Sequence, residues 1–254
     1  MTIETVTDYK YDVLQAGAEV EAFARSLGAD IYGVASAEAY ARDFPKKPSP
    51  MKFVADAKSV IIVGMPFTPE ITATIATPEL AEVFRKPSEY AAGDGSSGRP
   101  PVGAERYYFG EENTILSHEI AMIAYKTAWK LHREGYSAFY LPPVKTEQRF
   151  KTAPFYFLPA MYEAGIGQLG YNCSMINPVY GPRFRVTAII TNKELPAGQP
   201  LGERYYPACA ECKICVRRCP SQALDGRGWK NVFKCASYGC CGTCLSVCPI
   251  GEIK

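Results

Sequence analysis

Apolar residues recur every three or four positions between Tyr9 and Leu27, where Val13, Val20, Phe23, Ala24 and Leu27 fall on one side of a helix that Gly28 closes. A short strand is predicted at Ile31 to Val34. A second, Ser59 to Val63, is a nearly unbroken apolar run, which predicts burial on both faces. From Lys86 to Arg106 the chain is rich in Gly, Ser and Pro and reads as a long loop, the kind that in a compact domain is usually functional. Glu111 to Gly135 again has helical spacing, with Leu116, Ile120, Ile123 and Leu131 on the buried side. A strand at Ser137 to Leu141, a helix near Phe157 to Glu163 stopped by Gly165, and a β-branched strand at Val186 to Thr191 complete the pattern. Alternating helices and strands predict an α/β layer architecture.

This pattern gives way at Cys209 to a short segment dense in cysteine. The chain has 254 residues, 47% of them hydrophobic, which suits one large domain or a domain with a small module. The boundary is drawn between a core over residues 1–204 and a module over residues 205–254. Net charge is only +2, which indicates neither a basic nucleic-acid binder nor an acidic tail. It divides unevenly: Cys209 to Lys254 carries seven basic and three acidic residues, +4, against 21 basic and 23 acidic elsewhere, −2. No stretch approaches the roughly 18 apolar residues of a membrane helix. The first residues lack the basic-then-apolar order of a secretory leader, so a cytoplasmic protein is expected. In that compartment clustered cysteines predict metal binding rather than disulfides. His118 and His132 fall off the apolar positions of their helix and predict exposed side chains rather than zinc ligands or triad members.

Nine of the ten cysteines lie between Cys209 and Cys248. Cys209, Cys212, Cys215 and Cys219, followed by Pro220, have the C-x2-C-x2-C-x3-C-P spacing of two-cluster ferredoxins. Three thiolates two residues apart wrap one cubane, and the fourth points to another. Cys241, Cys244 and Cys248, followed by Pro249, repeat the end of that pattern. Crossed pairing predicts one [4Fe–4S] cluster on Cys209, Cys212, Cys215 and Cys248. The second takes Cys219, Cys241, Cys244 and a fourth thiolate, from Cys235 or Cys240. Cys235 is favoured, because the adjacent Cys240 and Cys241 cannot easily reach one cubane together. Zinc, which also uses C-x2-C pairs, has no need of a three-plus-one run ending twice in Cys-Pro. Cys173 stands apart and reads as a buried thiol.

The block from Glu163 through Gly165, Gly167, Gly170, Tyr171 and Asn172, then Ile176 to Arg185 with its Gly-Pro-Arg-Phe-Arg end, resembles a signature of cobalamin-dependent iron–sulfur reductases, the epoxyqueuosine reductases and reductive dehalogenases. Leu27 to Val34, Ser59 to Val63 and the segment Lys234-Cys235-Ala-Ser-Tyr238 also match, and the last supports Cys235 as ligand. The resemblance implies a nitroreductase-like α+β core and a C-terminal two-cluster ferredoxin-like module. It also implies a base-off cobalamin, since no D-x-H-x-x-G motif is present. Gly165, Gly167 and Gly170 would permit close approach of that large ligand, or else form a helix stop and tight turn. Asn172, Arg183 and Arg185 are the other candidates for contact with the corrinoid.

Two positions depart from the family. Lys151 precedes Thr152-Ala153-Pro154 where epoxyqueuosine reductases resemble one another in an acidic residue, and Tyr171 stands where Arg or Lys is usual. A proton-donor pair with exchanged positions, Tyr171 donating and Lys151 lowering its pKa, is the resulting candidate catalytic site. Tyr107, Tyr108, Phe109, Phe155, Tyr156 and Phe157 are predicted core aromatics that could instead line a substrate cavity. The expected activity is reductive cleavage of a small electrophilic substrate, dehalogenase-like. Its expected partners are an external electron donor of ferredoxin or flavodoxin type and a small-molecule substrate, with no nucleic acid and no membrane. A non-catalytic electron-transfer or corrinoid-handling protein, or a flavin-binding or cluster-only redox protein, is the alternative.

Overall fold

The strand expected at Ser59 to Val63 is at the centre of the fold. The computed structural model describes residues 3–74, 104–143, 153–237 and 240–251. In it β2, Ser59–Pro66, pairs on one side with β1, Ile31–Ser36, and on the other with β6, Phe184–Thr191. β6 in turn pairs with the short edge strand β3, Ala138–Tyr140, giving the order β1-β2-β6-β3. All three pairings are antiparallel. The register sets Val34, Ile61 and Ile189 side by side across three strands.

Antiparallel sheets often leave one face to water, and their strands then alternate. Here both faces are covered, which accounts for the unbroken apolar run in β2. On one face Val60, Ile62, Val186, Ala188 and Ile190 pack with Tyr40, Phe155 and helix α5, Phe157–Glu163. On the other Ile61, Val63 and Ile189 meet Val20 and Ala24 of α1, Ile3–Ser26, and Ile123, Ala124 and Leu131 of α4, Ala104–Arg133. Helices α2, Ala37–Asp43, and α3, Pro69–Thr74, complete the core's helices among the described residues. This is the mixed α/β architecture expected from the sequence.

Boundaries moved where the signals were weakest. The loop expected from Lys86 to Arg106 lies outside the described residues except for its last three, which open α4. His118 and His132 are exposed on α4. Phe155 is a core residue, stacked on Tyr40 at 5.1 Å and edge-on to Phe157.

After β6 the chain adds no strand to this sheet. A two-stranded ribbon precedes it, β4 at Gln168–Leu169 with β5 at Met175–Ile176. The cysteine segment is built of short helices: α6 Cys209–Cys212, α7 Ile214–Arg218, α8 Val232–Ser237 and α9 Thr243–Ser246.

Ile61 is fully buried on the face covered by α1 and α4. Ile61→Ala is therefore expected to destabilise the fold by about 3 kcal/mol, counting lost transfer energy and the cavity left behind. Denaturant unfolding measures this, and a loss below about 1 kcal/mol is incompatible with burial of that face.

Candidate functional site

A left-handed residue shapes the first cysteine run. Lys213, at φ 46°, breaks the chain between α6 and α7 and turns Cys215 back toward Cys209 and Cys212. Cys248 comes to the same place from 33 residues beyond Cys215 in number. These four thiols line a cavity of about 120 Å3 with Tyr171, Asn172, Ile176 and Lys213. Burial, then the charges of Cys209 and Cys248, push the Cys215 thiol up to about 11. Burial raises Cys209 and Cys248 as well. The backbone N–H of Tyr171 donates to the Cys209 sulfur, and that of Ile250 to the Cys248 sulfur.

A second group adjoins the first. Cys244 is pushed up to about 12 by burial, and it also feels the charges of Cys241, Cys215 and Cys219. At Cys219 burial raises the thiol, but the N–H groups of Ala223, Ser221 and Leu224 and the Ser221 hydroxyl outweigh it, and the net direction is down. The Cys241 sulfur lies 3.2 Å from the Thr243 hydroxyl. Cys235 is bonded to the Cys240 thiol and feels Cys244, so both candidates for the fourth position are brought to one place. Lys230 is the cation common to Cys235, Cys244 and Cys173. Cys173 itself is half-buried and donates to the Gly228 carbonyl at 3.1 Å.

Among the described residues no three His, Cys, Asp or Glu side chains gather closely enough to hold one metal ion. The thiols stand around a space instead. A cubane several atoms across asks its ligands to stand farther apart than those of one tetrahedral zinc ion. Thiolate donors, N–H groups aimed at sulfur and nearby cations fit an inorganic cluster in each group.

The segment Ile176 to Arg185 docks this cysteine region on the core. Asn177 folds it: its amide donates to the Ile166 carbonyl at 2.7 Å and its Oδ1 accepts from the N–H groups of Val179 and Tyr180. The turn ends at Gly181, φ 58°, where a β-carbon would stand 1.9 Å from the Ile250 carbonyl oxygen. Arg183, 4% exposed, follows. Its Nη1 donates to the carbonyls of Leu245 and Cys248 at 3.3 and 2.9 Å, and its Nη2 to those of Ile250 and Gly251 at 2.7 and 3.0 Å. Asn172, also buried, reaches the Cys244 carbonyl at 3.4 Å while accepting from Ser174.

Several expected corrinoid contacts take other parts. The space beside the three glycines is filled by the chain: a β-carbon on Gly165, Gly167 or Gly170 would stand 2.2 to 2.5 Å from the Gln199 carbonyl, the Ile176 carbonyl or the Asn172 side chain. Close approach is indeed their use, of backbone at Gly165 and Gly167 and of side chains at Gly170. Arg183 and Asn172 spend their polar atoms on the cysteine segment. Arg185 differs. Burial lowers its pKa, no charged neighbour offsets that burial, and its Nε has no hydrogen-bond partner among the described residues. Ser246 Oγ is orphaned in the same way. Buried donors without acceptors suit a ligand that brings its own. Tyr171 lines the first cysteine cavity with its ring edge-on to Tyr205. Lys151 lies outside the described residues, as does Tyr238. The sequence reasoning missed the docking role of Gly181 and Gly251 and the cation at Lys230.

No established family profile matches the chain. A tetrachloroethene reductive dehalogenase of Sulfurospirillum multivorans is 35% identical over 109 residues, 34% of this chain and 22% of that protein. Epoxyqueuosine reductases match in sequence as well. Among solved structures, a reductive dehalogenase described with a mechanism for B12-dependent dehalogenation has a TM-score of 0.63 at 18% identity, covering 91% of this chain and 31% of that one. An epoxyqueuosine reductase solved with an epoxyqueuosine-modified tRNA stem loop has a TM-score of 0.57 at 17% identity, covering 94% and 68%. The chain is thus related to reductive dehalogenases and epoxyqueuosine reductases, and it shares the fold of both. Its matched stretches span 22% and 35% of the first two curated relatives.

The expectation of no nucleic-acid partner does not stand, because a structural relative holds a tRNA stem loop. Net charge was the wrong guide. RNA is recognised through local shape, stacking and phosphate contacts, which a total of +2 averages away. The expectation of no membrane-spanning helix is matched only as far as it reaches: among the described residues none is long and apolar enough to cross a bilayer.

Gly181→Ala is expected to pry the Ile250 turn off the core, since the methyl meets backbone and φ is positive. The variant should show early protease cleavage between residues 240 and 254. Gly110→Ala, with open space around it on α4, should cleave as the parent does. Equal resistance of Gly181→Ala and parent would contradict this docking.

Proposed function

We propose that this relative of reductive dehalogenases and epoxyqueuosine reductases is an iron–sulfur oxidoreductase that passes electrons through two [4Fe–4S] clusters to a base-off cobalamin, for reductive cleavage of an electrophilic substrate. The observation that carries the reading is the grouping of Cys209, Cys212, Cys215 and Cys248 around one cavity, with Cys244, Cys241 and Cys219 adjoining it and N–H groups directed at sulfur in both groups. Residues 1–204 form a nitroreductase-like core and residues 205–254 a ferredoxin-like module. Cys209, Cys212, Cys215 and Cys248 hold one cluster. Cys219, Cys235, Cys241 and Cys244 hold the other, and Cys240 is the hydrogen-bonded neighbour of Cys235.

Each cluster supplies one-electron transfer, and a corrinoid, when bound, supplies a nucleophilic metal for two-electron bond cleavage. The chain's own residues do the rest. Tyr171 donates its backbone N–H to Cys209, so the same residue that steadies the first thiolate carries a phenol into the neighbourhood of the reaction. That phenol, with Lys151, delivers the proton that reductive cleavage consumes. Arg185 offers its unpaired Nε to an acceptor of the corrinoid, such as a carboxamide or phosphate oxygen. The substrate is a carbon–halogen or strained carbon–oxygen electrophile, free or carried on RNA.

Anaerobic reconstitution tests the cluster reading. The chain should take up about eight iron and eight sulfide and absorb broadly near 400 nm. Cys173→Ser and Cys240→Ser should keep that content. Cys219→Ser should lose about half of it. A colourless chain, or full iron content in Cys219→Ser, contradicts the reading.

For the corrinoid, comigration of base-off cobalamin on gel filtration is expected, with Arg185→Met binding roughly tenfold to a hundredfold more weakly. Tyr171→Phe should lower turnover of halogenated or epoxide substrates at least about a hundredfold while leaving the clusters loaded. Unchanged turnover removes the proton-donor role. Corrinoid bound without turnover of any such substrate points to a carrier instead.

A further inference from the structure

Arg183 is a cation sealed between the core and the last cysteine turn. Its four terminal N–H directions end on the carbonyls of Leu245, Cys248, Ile250 and Gly251. Carbonyl oxygens solvate a guanidinium without neutralising it, and a buried charge left unneutralised is costly. The Cys248 carbonyl stands 2.9 Å from Nη1, so the guanidinium lies against the very residue whose side chain bears the sulfur. The turn it grips contains Cys248 and runs from α9, which carries Cys244. One side chain thus fixes the backbone of a cysteine and places a positive charge beside its sulfur, in a region of low dielectric where that charge is weakly screened.

We infer that Arg183 is a positioning residue that clamps the Cys248 turn and raises the reduction potential of the cluster held by Cys209, Cys212, Cys215 and Cys248. This rests on the two-cluster reading. Reduction adds a negative charge to a cluster, and a fixed neighbouring cation stabilises the reduced form more than the oxidised one. The charge is fixed at the Cys248 turn, so it acts on the cluster that turn completes more than on the other.

A redox titration of the reconstituted full chain, followed by electron paramagnetic resonance, separates the two reduction waves. Arg183→Met is expected to move one wave to lower potential and leave the other in place. Arg183→Lys keeps the charge but cannot span four carbonyls from one planar fork. Its potential should stay near that of the parent while iron from one cluster is lost to a chelator several-fold faster.

The inference is overturned if Arg183→Met keeps both clusters with both waves unmoved, or if it moves both waves equally. A shift in Arg183→Lys as large as in Arg183→Met also overturns it, because charge is then not the cause. Should Arg183→Met fail to retain its clusters, the chelator rate of Arg183→Lys decides, and a parental rate overturns the clamp. A parent chain that takes up no iron and sulfide defeats the two-cluster reading itself. A loaded parent with indifferent variants defeats this inference alone.

Discussion

Thiolates crowded onto a short segment repel one another and resist burial, and the whole C-terminal region is arranged around that constraint. Burial, then neighbouring cysteine charge, raises Cys215 and Cys244, and the hydrogen bond with Cys240, then burial, raises Cys235. Only a strongly positive guest reverses the balance and lets all of the sulfurs ionise together. The protein contributes a smaller part of the same kind through Arg183, Lys230 and a set of N–H groups directed at sulfur. Small cysteine-rich segments have little apolar core of their own, and α6 to α9 are only four to six residues long. Their shape depends on the guest and on the surface they are pressed against.

That surface is prepared by the core. Two-sided burial makes the antiparallel sheet rigid, and β6 begins at its edge with Arg183 just before it. The turn from Asn177 to Gly181 is closed by its own asparagine and opened to Ile250 by the absence of a side chain at Gly181. Asn172 and the backbone of Tyr171 reach the cysteine groups from the ribbon next to it. The motif that resembles the reductase signature is therefore, in this chain, largely the seat of the cysteine region. Its polar atoms are used up there, with Arg185 the member left facing inward without a partner among the described residues.

Much of this was legible in the sequence, and the exceptions share a cause. The apolar run of β2 announced burial on both faces, because periodicity records which sides of a strand are covered. It does not record the direction of the neighbouring strand, and the antiparallel pairing had no local signal. Cysteine spacing was legible because ligand geometry is imposed at two- and three-residue intervals. The use of Arg183 was not, because the carbonyls it meets lie more than sixty residues further along the chain. Gly165, Gly167 and Gly170 were seen to need close approach, but what approaches them is chain from Gln199, Ile176 and Asn172. The expected absence of a nucleic-acid partner rested in part on a whole-chain charge, which says nothing about where charges sit.

The proposed account stands or falls on two clusters lying next to each other in one chain. Electron paramagnetic resonance of the fully reduced, reconstituted protein measures this directly. Two adjoining paramagnets split and broaden one another, so the spectrum should integrate to about two spins per chain and carry the complex lines of magnetic coupling, simplifying when either cluster is reduced alone. A single simple signal integrating to one spin, or no signal from a chain that binds zinc instead, would contradict it.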